Sequence, residues 1–179
     1  MKKKNVVKIL IPCLILFVIG GIYFFKNPPA KNQTLEGDVT PENADFVLSA
    51  TEAIDFEALS EYGLPIIVDY GSDSCIPCQQ MAPVLETMNE EMTGKAFIKF
   101  VDVWKYTDAA NNVPVQVIPT QVLVNANGTP FVPSEELAQK IEFILYSSRE
   151  TGDHVFTVHQ GGMTEEQMRL ILAEMGVES

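Results

Sequence analysis

The spacing of apolar residues changes along the chain, and each change marks an element. Ile66, Ile67 and Val68 form a continuous β-branched run, which predicts a strand to Tyr70 covered on both faces. Gly71, Ser72, Asp73 and Ser74 follow with turn chemistry. Beyond Cys78, Met81, Val84, Leu85, Met88 and Met92 recur at helical spacing, with Pro83 expected to kink that helix. Ala96 to Val103 alternates as a strand. Thr120 to Val124 is another, running into the hairpin signal Asn127-Gly128, and His154 to Val158 pairs back as the last strand. Phe46-Val47-Leu48 reads as a short first strand, Asp55 to Tyr62 as a helix and Tyr106 to Asn112 as a weak helix or turn. Thr164-Glu165-Glu166-Gln167 is a capping box opening a helix whose stripe of Met168, Ile171, Leu172 and Met175 reads as core. Strands alternating with helices predict an α/β fold.

Two segments break this alternation. Pro133 to Asp153 separates the last two strands as an insert, with a helix predicted behind a Ser134 cap. Leu137, Ile141, Ile144 and Leu145 give that helix one apolar face. It is read as covering a sheet edge, with a docking surface as the alternative. Ile9 to Phe25 is an uncharged apolar run of seventeen residues, preceded by four lysines in a basic segment, residues 1–8. No small-residue cleavage site follows closely. The expected arrangement is a single-pass transmembrane anchor over 9–25, its start cytoplasmic, with the rest outside the cytoplasm at the cell membrane. A cleaved signal peptide and secretion are the alternative. Leu10-Ile11-Pro12-Cys13 has only a superficial likeness to a lipidation box, because Pro12 is wrong beside the cysteine. Residues 26–41 carry Pro28, Pro29, Gly37 and Pro41 without apolar period and read as a linker. The folded domain is expected over 42–179.

Charge sharpens the division. Lys2, Lys3, Lys4, Lys8, Lys26 and Lys31 all precede the first acidic residue, Glu36. The remainder holds 6 basic and 24 acidic side chains, a net of −18. A domain that acidic argues against a nucleic-acid partner. Hydrophobic content of 46% allows an ordinary core.

The chemistry concentrates at Cys75-Ile76-Pro77-Cys78. A C-x-x-C where a strand turns into a helix points to redox chemistry. Free N–H groups and the dipole at a helix start favour a thiolate on Cys75. Cys78, three residues on, faces the same side of the first turn and can close a disulfide. Pro77 fits because the first turn needs no donor. A metal site would want four ligands; Cys13 lies in the apolar segment, and His154 and His159 fall on opposite faces of one strand. No metal and no cofactor are expected.

These residues carry a family resemblance. The stretch Asp69 to Pro83 resembles the active site of thioredoxins: an Asp six residues before the first cysteine, C-x-P-C, and a helix proline eight after that cysteine. Val117-Ile118-Pro119-Thr120 resembles the step at which thioredoxins hold a cis proline opposite the disulfide. Gly161-Gly162-Met163-Thr164 resembles the glycine turn before their last helix. The likeness covers roughly residues 45–178, minus the insert at 133–153. It implies a thioredoxin fold, a central mixed sheet flanked by helices, with a helical insert in the last hairpin. It also implies roles: Cys75 as nucleophile, Cys78 as resolving thiol, and buried Asp69 as the carboxylate that takes the Cys78 proton. Ile118 and Pro119, with Ile76 and Pro77, become the substrate-binding residues. Departures accompany the likeness. Gly71 and Ser74 stand where thioredoxins usually carry tryptophan. The lysine often found beside the buried Asp would fall at Phe100, while Lys99 points to the other face.

The expectation is therefore a monomeric protein-disulfide reductase acting outside the cytoplasm on protein disulfides. It would be supplied with electrons by a membrane donor of the cytochrome-biogenesis type. A disulfide-introducing oxidase of the same fold, and a redox-inactive binding module, are the alternatives.

Overall fold

The computed structural model describes residues 43–178; the basic segment 1–8, the anchor expected over 9–25 and the linker 26–41 lie outside them. Among the described residues, no helix is long and apolar enough to cross a membrane. A single 3-10 turn at Ala44–Phe46 leads to β1 (Ser49–Ala50) and α1 (Phe56–Ser60). Then follow β2 (Ile66–Gly71), α2 (Ile76–Met92), β3 (Phe97–Asp102), a 3-10 turn at Thr107–Ala110 and β4 (Thr120–Val124). The chain closes with α3 (Glu135–Ala138), β5 (Ile144–Ser147), β6 (His154–Gln160) and α4 (Glu165–Glu174).

The strands form one mixed sheet in the order β1-β3-β2-β4-β6-β5. β1, β3 and β2 run parallel; β4, β6 and β5 continue the sheet antiparallel. β2 is buried along its whole length, as its unbroken β-branched run requires. Its alternate residues serve two cores. Ile67 joins Met81, Met88, Ile98, Leu123, Met168 and Ile171 under α2 and α4. Ile66, Val68 and Tyr70 join Phe97, Val101 and Val122 on the opposite face. Asp69, by parity, points with Ile67 toward α2.

Two expectations are corrected. The first strand is Ser49–Ala50, not Phe46–Leu48. Phe46 instead ends a 3-10 turn and stacks on Phe97, centroids 4.5 Å apart, because a large ring gains more by capping the core than by joining a sheet edge. The 133–153 insert is not a helix with one apolar face. Its helix is the single turn of α3, capped by Ser134 as expected, and the chain then forms β5 against β6. Leu137 and Ile141 are buried, but Ile144 and Leu145 are neighbours on a strand and face opposite ways. Ile144 packs on the core, and Leu145 is 50% exposed. The sheet edge is extended by a strand rather than covered by a helix.

Candidate active site

Backbone geometry brings the two cysteines to the start of α2. Cys75 is its N-cap residue, in an extended conformation, with no side-chain cap bond. Its N–H donates to Ser72 O at 3.0 Å, and Gln79 N–H donates to Cys75 O at 2.9 Å. Pro77 stands in the first turn, where a missing N–H costs nothing. Both cysteines are free thiols and nearly buried, Cys75 at 7% and Cys78 at 4% exposed. Ile76 between them is 69% exposed. The Ile118–Pro119 peptide bond is cis, and the Ile118 carbonyl oxygen lies 4.0 Å from Cys75 Sγ. Val117, one residue earlier, is 51% exposed. The residues expected to bind substrate thus surround Cys75: Ile76 and Pro77 on one side, Ile118 and Pro119 on the other.

Asp69 lies beneath, wholly buried. Burial pushes its carboxyl from 3.8 up to about 7, against the downward pull of a hydrogen bond from Gln121. Its Oδ2 has no hydrogen-bond partner. A Cβ placed on Gly71 would sit 3.1 Å from that oxygen, 3.2 Å from Cys78 Sγ and 3.0 Å from Phe100 Cε2. One small space therefore touches both the free carboxyl oxygen and the thiol of Cys78. Burial first, and then the hydrogen bond with Cys75, push the Cys78 thiol up to about 12; the Asp69 charge adds to this. A thiol so reluctant to ionise needs a base beside it. A cavity of about 180 Å³ reaches the flank of Cys78 from the β3 side, lined also by Ser72, Asp73, Gln79 and Phe100. Phe100 occupies the register position opposite Asp69. Lys99 faces away, donating to the carbonyl oxygens of Asp45 and Val47.

Two residues at the site were not singled out from the sequence. Asp102, at the end of β3, accepts from Asp73 N–H, Trp104 N–H and Lys105 N–H, each at 3.0 Å, and from the Ser72 hydroxyl at 3.4 Å. Burial works against its charge, but these bonds outweigh burial and hold its carboxyl below the usual range. It staples the turn before Cys75 to the loop after β3. The second is Gln121, wholly buried and bonded to Asp69. The histidines stay apart from the thiols. His154 Nε2 contacts Phe156 O and Thr157 Oγ1, and His159 Nδ1 donates to Glu142 O. Among the described residues, no three His, Cys, Asp or Glu side chains are placed to share a metal ion.

Residues 47–144 match the thioredoxin family profile. The chloroplastic thioredoxin Y of Oryza sativa subsp. japonica is 33% identical over 95 residues, covering 50% of this chain and 56% of its own length. The chloroplastic thioredoxin Y1 of Arabidopsis thaliana is 32% identical over 84 residues, 44% of this chain and 48% of its own. The chain thus spans about half the length of these two plant relatives. A thioredoxin of Staphylococcus aureus is 34% identical over 102 residues, 54% of this chain and 95% of its own. Among solved structures, the thioredoxin of Fasciola hepatica overlays 72% of this chain and 99% of its own, with 21% identity and a TM-score of 0.48.

Proposed function

The chain belongs to the thioredoxin family, and from that premise we propose that it is a thiol–disulfide oxidoreductase reducing protein disulfides outside the cytoplasm. The observation that carries this reading is the stacking of three features. A thiol at a helix start faces the Ile118 carbonyl just before the cis proline, a second thiol lies one turn deeper, and a buried carboxyl sits beside the second.

The chemistry follows from that order. Cys75, as thiolate, attacks one sulfur of a substrate disulfide. The substrate S–S bond breaks, a mixed disulfide forms, and the departing sulfur leaves as thiolate and takes a proton. Cys78 then gives its proton to the Asp69 carboxylate, directly or through one water, and attacks Cys75 Sγ. The mixed disulfide breaks and the second substrate sulfur leaves reduced. Two electrons have passed to the substrate, and Cys75–Cys78 is now the disulfide. Because both thiols belong to one helix turn, the second step is intramolecular and fast. An extended substrate segment lies against Ile118 and Pro119, with Ile76 and Pro77 as its apolar floor.

Turnover needs fresh electrons. With residues 9–25 as a membrane anchor and 26–41 as a tether, the natural supplier is a membrane donor of the cytochrome-biogenesis type. The reduction potential of the Cys75–Cys78 couple tests the reading. A value near about −270 mV, usual for thioredoxin, is expected, and one near about −120 mV would make the protein a disulfide donor instead. Cys78→Ser should accumulate the mixed disulfide, and Cys75→Ser should form none. A Cys75→Ser protein with undiminished disulfide reduction would overturn the assignment.

A further inference from the structure

Gln121 stands opposite Asp69 in the β2–β4 register, in a strand otherwise made of Thr120, Val122, Leu123 and Val124. It is wholly buried, where an amide is costly unless it is bonded. Its Nε2 donates to Asp69 Oδ1 at 2.6 Å and to Gly161 O at 3.2 Å, and lies 3.5 Å from Met81 Sδ. Gly161 N–H in turn donates to Pro119 O at 2.9 Å. The amide cannot be turned over, because Gly161 O only accepts and a reversed amide would set oxygen against oxygen. Gln121 is therefore an obligate donor to Asp69, and the other carboxyl oxygen, Oδ2, is left unbonded next to Cys78.

We infer that Gln121 is a positioning residue for the resolving step: by tying Oδ1 it makes Oδ2 the oxygen that receives the Cys78 proton. The inference rests on the exchange chemistry proposed above. No other side chain among the described residues donates to Asp69, and the surrounding groups leave the task to Gln121. On the same side lie Cys75 and Cys78 of α2, Phe100 and Asp102 of β3, and His159 of β6, whose ring is held by Glu142 O. α4 presents Met168 and Ile171, and Lys99 lies on the opposite face of the sheet. The hydrogen bond favours the charged carboxyl, opposing the upward push of burial.

The test is a carboxyl-carbon NMR titration of Asp69 in the reduced full-length protein, beside the pH profile of mixed-disulfide resolution. Gln121→Leu is expected to raise the Asp69 midpoint by about one to two pH units, the range for a hydrogen bond to a charged group. The midpoint of the resolving rate should move up by the same amount. In an Asp69→Asn background, Gln121→Leu should leave the shape of the pH profile unchanged. Gln121→Met, closer in volume, carries the same measurement if the Leu variant does not fold. The unsubstituted protein gives a third reading, since the Gln121 side-chain amide must titrate together with the Asp69 carboxyl. An unmoved midpoint, a resolving rate lowered equally at every pH, or an amide that does not titrate would each overturn the inference. If the unsubstituted protein reduces no disulfide, the exchange reading fails separately, and the carboxyl titration still decides whether Gln121 governs Asp69.

Discussion

Asp69→Asn should stabilise the reduced protein at alkaline pH while impairing it as a reductant. Folding moves this carboxyl from 3.8 to about 7. At about 1.4 kcal/mol per pH unit, that corresponds to about 4 kcal/mol between the ionised and neutral forms. The sign follows from the raised value. The contribution of Asp69 to stability is fully present below its unfolded value, near pH 4, and is lost as pH rises through about 7. Asparagine keeps an oxygen to accept from Gln121 and never ionises, but it buries an N–H pair where Oδ2 had no partner, a pH-independent cost of about 1–2 kcal/mol. The variant should thus be more stable than the parent by about 2–3 kcal/mol at pH 8.5, and less stable by about 1 kcal/mol at pH 4. Urea unfolding of both proteins across this range reads the difference. With a slope of about 1–3 kcal/mol per molar urea, the midpoint gap should change by about 2 M from one end to the other. Other titrating groups cancel in the comparison, and Cys78, pushed up to about 12, stays neutral throughout. A gap that does not change between pH 4 and pH 8.5 would refute the claim that Asp69 is buried at an electrostatic cost. Resolution of the mixed disulfide at pH 7 should slow by about 100-fold, the usual scale for losing a positioned base.

Other outcomes follow from neighbouring contacts. Gly71→Ala puts a methyl 3.0–3.2 Å from Phe100, Asp69 and Cys78, so it should cost about 1–2 kcal/mol in unfolding experiments and slow resolution in single-turnover assays. An unchanged Gly71→Ala protein would mean that the space between carboxyl and thiol is not shared. Asp102→Ala removes the acceptor of three backbone N–H groups and should cost about 3 kcal/mol at neutral pH. Hydrogen exchange should then quicken at Asp73, Trp104 and Lys105. The parent should lose this same contribution only as pH falls below about 4 and through the lowered Asp102 value, since its folded form favours the charge.

Much of this arrangement was legible because it is local. β4 falls on Thr120–Val124 and α2 ends at Met92, as the spacing predicts, since parity and helical period are short-range signals. The spacing of Asp69, Cys75 and Cys78 likewise needs only one strand, one turn and one helix start. What escaped depends on pairing between distant segments. Leu137, Ile141, Ile144 and Leu145 have helical spacing, but Ile144 stands opposite Val158, and β5 there pairs the outer edge of β6, which a second helical turn would leave unbonded. Gln121 matters only because β4 runs antiparallel to β2 and sets it against Asp69, 52 residues away. A signal for it did exist. Gln121 shares the parity of buried Leu123, and a polar side chain pointing into a core calls for a partner. Asp102, in the same way, is an ordinary end-of-strand acid until the turn at Ser72 and Asp73 is folded against it.

The two outer strands of the sheet have a consequence for what the protein can touch. Under the proposed function the protein would meet extended, disulfide-bearing segments, and an open sheet edge would bind any of them by backbone pairing alone. Here one border is β1, two residues long. The other is β5, four residues long, with its register broken between Tyr146 and Ser147. Both are shorter than the usual strand of about five to six residues, and the break in β5 shortens its regular template further. The insert that lengthens the sheet thus leaves it ending in a short, irregular border, and indiscriminate capture of unfolded chains is discouraged at both margins. On the proposed reading, selection among polypeptides falls instead to the segment leading into the cis Pro119, beside Cys75.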